Sequence, residues 1–595
     1  MGEARRLLSE NRTVILYGAP GTGRTAAASV LLYEHRQDAG IFRELLPGDE
    51  EEGTLKDPGL VGAGDRLLLD LADADGDQWA EARKDLSALR QAVRDQRAHL
   101  VVVMPYEGAL ESDLRPYRAE ITRPPEEEVF RRHLRLHRVP HDEYTRSAPA
   151  LKAFLDEEPS MDDIAEFADR VRRIRTASSA RDGFAMWCEQ AREARKGWRK
   201  EVANRVTELR EAPQRALLIT TAMLHGAHAD VIHQAADLLL SASESPGDDT
   251  PLLECKDLAE RLKEISATVG PDGHVRFDKP DFDTAVRAHF WDHLPDLRQT
   301  LGVWTSRCTE LADPYLTPEL RAELVKRLAD QYLRTGRWKD LALLTEKWST
   351  APTSRARLEA AVHALTRGLQ NKHYDGIFRQ QIYAWCFEKR LTDGLAHVLI
   401  RVCTDAIAPT HPDQALIRLY HLARRERGTT RAQDALCDLV ATSGRLRRRM
   451  LDRLTGPSSH PATDLGLFLR VCDPVPLTDP GGAPRALVEE KAVQDCVTTG
   501  WREVLSGLAQ RHWQPYAERW LHTASDTGDR GELLLDLLVD AAGKHGTTLA
   551  TLYAVARAAE PTTPGGRASA AATTDLLFQK ISEAQGLRPS RGNTS

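Results

Sequence analysis

The sequence predicts an α/β domain with a parallel sheet at the start of the chain, followed by a long region that is all helical. Two observations predict this fold class: short apolar runs alternate with amphipathic stretches in the first quarter, and the strand signal nearly vanishes after about Glu126. Uninterrupted apolar runs are typical of parallel strands that helices cover on both faces. The expected strands are TVILY at 13–17, DRLLLDL at 65–71, AHLVVVM at 98–104 and YRAEITR at 117–123.

The helical region divides into smaller units at its turn signals. Two helical hairpins form an expected lid, and further helices then precede two strand-like pieces, at 267–269 and 274–277, around the turn GPDG. Helices followed by one hairpin outline a winged-helix-like unit. After it, paired amphipathic helices without a fixed repeat length favour a degenerate α-solenoid of tetratricopeptide (TPR) or HEAT character. The expected boundaries are 1–125 for the sheet domain, 126–211 for the lid, 212–305 for the winged-helix-like unit, 306–587 for the repeats and 588–595 for a disordered tail.

The composition sets limits on the partners. The net charge is −7 and 65 of the 81 basic residues are arginine, so we expect no nucleic-acid partner and interpret the arginine run at 445–449 as a solvated helix face. The eight cysteines are scattered without a CxxC pair, which is typical of buried thiols in a reducing compartment. No apolar run approaches the ~18 residues of a membrane span, and the first residues lack the apolar core of a signal peptide. We expect a cytoplasmic protein without a membrane partner.

The stretch GAPGTGRT at 18–25 has the spacing of a loop that binds phosphate. It follows an expected strand, opens an expected helix, and differs from the P-loop pattern GxxxxGK[ST] in having arginine where lysine is usual. Its glycines let backbone N–H groups turn toward a phosphate, and the helix N-terminus adds its dipole. Arg24 keeps the positive charge of a lysine on a larger, planar group. The candidate cofactor-binding residues are Gly18, Ala19, Pro20, Gly21, Thr22, Gly23, Arg24, Thr25 and Ala26.

The second half of such a site is expected at the end of a neighbouring strand. Asp70 closes the apolar run RLLLD, so Asp70 and the Thr25 hydroxyl are the candidate ligands of Mg²⁺. Asp73, in the loop that follows, is the candidate for a catalytic carboxylate. The sequence thus predicts a site for ATP or ADP with Mg²⁺.

These residues resemble the AAA+ superclass of P-loop NTPases, and more closely its STAND branch of signal-transducing, NACHT-like NTPases. The resemblance rests on GAPGTGRT, on LLLDLADAD, on the strand RAEITRP before an acidic helix start, and on the order of lid, winged-helix-like unit and superhelical half. It covers about residues 1–305 by motif and the rest by architecture alone. It implies that ADP holds a closed monomer, and that ATP exchange with a signal sensed by the repeats opens it into an oligomer. The chain departs from the family at two positions: Arg24 replaces the usual lysine, and Leu71 stands where a water-orienting glutamate is usual. It also lacks a recognisable sensor arginine, and no effector domain is expected ahead of Met1.

The function that these features favour is a nucleotide-gated, STAND-like signalling switch or scaffold in a bacterial defence or signalling system. It binds ATP or ADP with Mg²⁺, hydrolyses slowly at most, binds a protein partner through its helical repeats, and associates with itself in a nucleotide-dependent way. Three alternatives stay open: an AAA+ ATPase that remodels a protein client, a pseudo-NTPase scaffold in which Arg24 braces the loop, and, least favoured, a winged-helix DNA-binding regulator.

Overall fold

The computed structural model describes all residues except 36–39, 47–54, 140–147, 178–182, 245–255, 351–353, 389–390, 457–460, 481–484, 559–563 and 587–595, so the expected disordered tail lies outside the described residues. The strands are β1 Thr13–Tyr17, β2 Phe42–Glu44, β3 Arg66–Asp70, β4 His99–Val103, β5 Arg118–Glu120, β6 Ala267–Val269 and β7 Val275–Phe277. The helices are α1 Gly2–Asn11, α2 Arg24–Glu34, α3 Gly76–Asp95, α4 Glu126–Leu136, α5 Pro149–Leu155, α6 Met161–Ala177, α7 Phe184–Lys196, α8 Arg199–Glu208, α9 Ala212–Met223, α10 Ala229–Ala242, α11 Leu258–Glu264, α12 Phe282–His293, α13 Leu297–Thr309, α14 Pro318–Arg334, α15 Trp338–Thr350, α16 Arg355–Leu369, α17 Asp375–Phe387, α18 Asp393–Val402, α19 Pro412–Arg425, α20 Arg431–Ala441, α21 Gly444–Thr455, α22 Pro461–Val471, α23 Pro474–Thr478, α24 Lys491–Gly507, α25 Gln510–Asp526, α26 Asp529–Ala542, α27 Gly546–Ala558 and α28 Pro564–Ala584.

The chain forms two compact units. Unit 1 combines Met1–Tyr17 and Thr25–Ala119 with Cys403–Ser595, and unit 2 combines Gly18–Arg24 with Glu120–Val402. The sheet and the last helices of the chain therefore belong to the same unit. The finer boundaries expected from the sequence stay a prediction.

The sheet of unit 1 has the strand order β2-β3-β4-β1-β5. The pairs β1 with β4, β4 with β3, and β3 with β2 are all parallel. The middle strands β1, β3 and β4 are buried almost without a break, and α3 contributes Trp79, Leu86 and Leu89 to the same apolar core. The four expected strands are confirmed, and so is the α/β class of this part of the chain.

The sequence did not predict β2. Its middle residue, Arg43, is 1 % exposed, and its last residue, Glu44, donates its backbone N–H to the carbonyl of Thr410 at 2.9 Å. A three-residue strand with a charged centre has no apolar signature. Besides pairing with β3, it contacts residues more than 350 positions further along the chain.

Asp413, in α19, is at the centre of a buried ionic cluster of unit 1. Arg445 donates to both of its carboxylate oxygens at 2.7 Å, Arg43 approaches Oδ2 at 2.7 Å, and Arg449 is a third partner. Burial alone would raise the pKa of Asp413, but the guanidinium groups of Arg445, Arg43 and Arg449 lower it well below its usual range. The cluster joins the edge strand of the sheet to the C-terminal helices.

The prediction that the arginines at 445–449 form a solvated helix face is wrong. In α21 Arg445 is 3 % and Arg447 is 6 % exposed. Successive residues of a helix are turned by about 100°, so four arginines within five positions cannot all lie on one solvent-facing stripe. At least one of them has to point inward, and here two do.

Unit 2 contains α4 to α18 and the hairpin of β6 and β7. The first helices pack around four phenylalanines, and the rings of Phe154 and Phe167 stack with their centroids 4.2 Å apart. The strands β6 and β7 pair antiparallel, with Ala267 opposite Phe277, after three helices and before α12. The expected hairpin is confirmed. The later helices come in neighbouring pairs such as α14 and α15, on either side of the expected turn RTGRW.

Two arginines of α6 converge on the residue before α12. Arg170 donates through Nε to Asp281 Oδ2 at 2.8 Å, and Arg173 donates through Nη1 to Oδ1 at 2.6 Å. Asp281 has a left-handed backbone with φ 58°, and Trp198 donates its indole N–H to the neighbouring carbonyl of Pro280 at 2.8 Å. We call this set of contacts the Asp281 junction. It ties helices of the expected lid to the elements of the expected winged-helix-like unit.

Candidate functional site

The loop from Gly18 to Gly23 connects β1 to α2 and has a shape that requires glycine. A Cβ on Gly18 would lie 2.4 Å from the carbonyl oxygen of Ile121, a separation that real Cβ atoms do not show. Gly23 has φ 83°, in the left-handed region where side chains are rarely found. The backbone can therefore follow this path only with glycine at these motif positions.

The crest of the loop is a tight turn from Ala19 to Thr22. Thr22 donates its N–H at 3.3 Å and its hydroxyl at 2.9 Å to the carbonyl of Ala19. Pro20 at the second position and Gly21, with φ 79°, at the third are the residues that a type II turn prefers. Ala19, Pro20 and Gly21 are exposed. The crest therefore presents backbone and small side chains to solvent.

Arg24 is the first residue of α2, and it is only 7 % exposed. The position of the usual lysine thus carries a guanidinium group that is packed into the protein. The first turn of α2 has no acidic side chain. Since the first four N–H groups of a helix have no acceptor within it, the positive end of this helix is suited to an anion.

The two predicted Mg²⁺ ligands lie in direct contact. Thr25 donates its hydroxyl to Oδ2 of Asp70 at 2.7 Å, and Oδ1 of Asp70 accepts the N–H of Ala72 at 3.0 Å. These bonds fix the carboxylate at the end of β3. A hydroxyl that donates its proton keeps its two lone pairs, so Thr25 and Asp70 can both still offer an oxygen to a cation. Ala26, the last predicted cofactor-binding residue, is exposed in the same helical turn as Thr25.

The loop after β3 contains one carboxylate with a structural role and one without. Asp75 caps α3: it accepts the N–H groups of Asp77 at 3.1 Å and Gln78 at 2.8 Å, and Gln78 accepts the N–H of Asp75 in return. Asp73 is exposed, and within the described part of the chain no hydrogen bond or ion pair orients its carboxylate. Its catalytic role stays a prediction.

Two contacts beside the loop were not predicted from the sequence. The guanidinium of Arg118, at the start of β5, lies 3.3 Å from the ring centroid of Tyr17, the last residue of β1. The carbonyl of Ile121 lies against Gly18. Arg118 and Ile121 both belong to the expected strand YRAEITR. A contact between two distant segments of the chain cannot be predicted from the local sequence of either segment.

Comparison of the chain with protein-family models, with curated proteins and with solved structures finds no match. Across the described ranges, no helix is long and apolar enough to span a bilayer. The same ranges contain no group of three or more His, Cys, Asp or Glu side chains placed to hold a metal ion. A Mg²⁺ ion here would depend on Thr25, Asp70, water and the oxygens of a bound phosphate, which is a common way of holding this ion.

Proposed function

We propose that this protein is a nucleotide-gated switch of STAND type, which binds ADP or ATP with Mg²⁺ at residues 18–26 and Asp70. The observation that carries the proposal is the hydrogen bond from Thr25 to Asp70, at the end of a parallel strand and directly after a loop that only glycine can form. The N–H groups of the loop and of the first turn of α2 would bind phosphate oxygens, and Thr25 and Asp70 would complete the shell of the ion.

The strand order also supports the proposal. The strand β4 lies between β1, which leads into the loop, and β3, which ends in Asp70. These three strands are parallel, so the loop after β1 and Asp70 at the end of β3 lie at the same edge of the sheet, which is the edge where open α/β sheets bind their ligands.

Hydrolysis is proposed to be slow at most. Leu71, which occupies the place of a water-orienting glutamate, is 5 % exposed and packs in the apolar core. An aliphatic side chain cannot orient or deprotonate water. The bound nucleotide, ADP or ATP, would therefore act mainly by selecting the conformation of the protein. That conformation would control the binding of a protein partner to the helical repeats and the association of the protein with itself.

The test begins with the purified protein. It is denatured, and the supernatant is analysed by ion-exchange chromatography for released nucleotide, which we expect to be ADP. Calorimetric titration with ADP and Mg²⁺ then measures binding by two site variants, Thr25→Ala and Asp70→Asn. The control for the first is Thr25→Ser, which keeps the hydroxyl. The control for the second is Asp77→Asn, which removes an exposed charge outside the site. We expect Thr25→Ala and Asp70→Asn to bind at least tenfold more weakly, and the two controls to bind as the native chain does. An empty supernatant together with no binding of any adenine or guanine nucleotide would refute the proposal.

A second candidate function is a scaffold without nucleotide, and the burial of Arg24 favours it. A guanidinium that is 7 % exposed can stabilise the loop by itself. In that case Arg24→Ala lowers the melting temperature of a nucleotide-free protein, and Arg24→Lys does not create nucleotide binding. For the switch, Arg24→Lys should bind ADP at least as tightly as the native chain, since it restores the usual residue.

A further inference from the structure

A cavity of about 730 Å³ lies in unit 1, at the edge of the sheet where the strands begin. Arg12, Ile41, Asp65 and Arg97, which line it, stand one or two residues before β1, β2, β3 and β4. The other wall is formed by the start of α21 and by Pro476, Asp479, Pro480, Arg485, Leu487 and Glu490. Asp70 is at the opposite end of β3, on the order of 15 Å away for a five-residue strand. The cavity is therefore separate from the candidate Mg²⁺ site, and its size is that of a small-molecule site.

The lining of the cavity has an excess of positive charge. Six arginines and four acidic residues line it. Arg445 is compensated by Asp413, and Arg448 by Glu490 at 2.7 Å. For the other four arginines, the described part of the chain offers no carboxylate within ion-pair distance. These are Arg12, Arg97, Arg447 and Arg485.

Arg447 is the most unusual of the four, because it is buried. It is 6 % exposed, and its Nη1 donates to the carbonyl of Val471 at 2.7 Å. Burial lowers the pKa of its guanidinium, and the charge of Asp473 offsets this only in part, but arginine remains charged in proteins. A buried charge without a carboxylate in direct contact is unfavourable. A bound anion in the cavity would compensate it.

The start of α21 adds a second feature suited to an anion. Ser443 is the N-cap residue of this 12-residue helix, and its side chain makes no capping hydrogen bond. The first turn has no acidic residue, and Thr442, Ser443 and Gly444 line the cavity. The N–H groups of the first turn have no acceptor within the helix, and the helix dipole places its positive end here.

We infer that this cavity is a binding site for a small molecule that carries two or more phosphate groups. Arg12, Arg97 and Arg485 bind the phosphates at the mouth, and Arg447 with the N-terminus of α21 binds them inside. Paired N–H donors of arginine match phosphate oxygens in geometry as well as charge. The site is independent of the proposed nucleotide loop, since the two share no residue.

The first test is calorimetric titration of the full chain with sodium tripolyphosphate in buffer without Mg²⁺. The variant Arg97→Gln with Arg485→Gln removes two exposed cations of the cavity and keeps most of each side chain. The matched control, Arg94→Gln with Arg502→Gln, removes two exposed arginines that do not line it. We expect at least tenfold weaker binding in the cavity variant and unchanged binding in the control. Equal binding by the cavity variant and the native chain would overturn the inference.

A second titration separates this cavity from the loop at 18–25, which could also take up the probe. Gly23→Asp places a carboxylate in the loop and leaves the cavity intact. We expect this variant to retain one tripolyphosphate site that the cavity variant lacks. If Gly23→Asp loses all binding, the probe binds in the loop and the inference fails.

The third test replaces Arg447 and measures the melting temperature without an anion and its rise when tripolyphosphate is added. Arg447→Met replaces the buried charge by an apolar chain of similar length, so we expect a melting temperature no lower than that of the native chain when no anion is present. Tripolyphosphate should raise the melting temperature of the native chain and raise that of Arg447→Met by less than half as much. A full shift in a folded Arg447→Met would contradict the inference. Binding of a polyglutamate peptide without binding of tripolyphosphate would also overturn it, in favour of an acidic protein segment.

Discussion

At the scale of single residues, Asp413 lies with its carboxylate at the centre of a buried ionic cluster. Three arginines share its carboxylate, and it is 0 % exposed. Removing one partner of a buried ionic cluster leaves the other charges without compensation, which typically costs about 3–5 kcal/mol. We expect Asp413→Asn to lower the free energy of unfolding of unit 1 by an amount of this order, measured by urea denaturation. Asp438→Asn, which removes an exposed carboxylate of α20, should change it little.

The same cluster predicts a response to acid. Because the pKa of Asp413 is lower in the folded chain than its ordinary value, its contribution to stability is fully present above about pH 4 and is lost as the pH falls further. We expect native unit 1 to lose stability more steeply than the Asp413→Asn variant between pH 4 and pH 2, followed by circular dichroism. Parallel acid titration curves for the two chains would exclude a role of the ionised carboxylate.

His421 predicts a second pH dependence in a milder range. Burial, and then Arg453 and Arg424, lower its pKa to about 3. The unfolded chain binds the proton with a pKa of about 6.5. Below that pH the unfolded state takes up a proton that the folded state does not bind, so the folded chain loses stability as the pH falls toward 3. We expect the free energy of unfolding to fall less between pH 7 and pH 5 in His421→Gln than in the native chain, measured by urea denaturation at both pH values. The control His545→Gln, at an exposed position, should follow the native chain.

At the scale of elements, the Asp281 junction holds α6 against the start of α12. Asp281→Asn keeps a residue that tolerates the left-handed backbone but removes the charge that Arg170 and Arg173 share. We expect faster hydrogen exchange in the C-terminal half of α6 and in the first turn of α12, measured by mass spectrometry. Asp278→Asn, at an exposed position nearby, is the control. Unchanged protection in Asp281→Asn would mean that apolar packing alone holds these helices together.

The elements also show how far the sequence could be interpreted. Apolar runs predicted β1, β3 and β4, because a strand that is buried on both faces has to be apolar, whereas the short strand β5 buries only Ala119. They missed β2, which pairs with β3 and also contacts Thr410 and Asp413, two residues that a local pattern cannot connect to it. The candidate site was predictable for the same reason as the middle strands: its loop, Thr25 and Asp70 are placed by local motifs at strand ends. The burial of Arg447 and the cavity beside it were not, since a surface arginine and a buried one look alike in a sequence.

At the scale of the whole molecule, unit 1 depends on both ends of the chain. Without Cys403–Ser595 the sheet loses Asp413, which pairs with Arg43, and the carbonyl of Thr410, which accepts the N–H of Glu44. We therefore expect a fragment of residues 1–402 to show much less hydrogen-exchange protection in β2 and β3 than the full chain, whereas a chain ending at residue 586 should be protected like the full chain. Native protection of these strands in the fragment would show that the sheet folds without the last helices.

The contact between Arg43 and Asp413 also sets an order of events during synthesis. The two residues are about 370 positions apart, and ribosomes add roughly 5–20 residues per second. Asp413 is therefore synthesised on the order of 20–70 seconds after Arg43. Through that interval the edge strand β2 lacks Asp413, and Arg43 has to rely on earlier partners such as Asp65, which lies 3.9 Å from it in the folded chain. We therefore expect chaperones to bind this nascent chain, and the fraction of nascent chains with a bound chaperone should be highest before the last third of the protein has been translated.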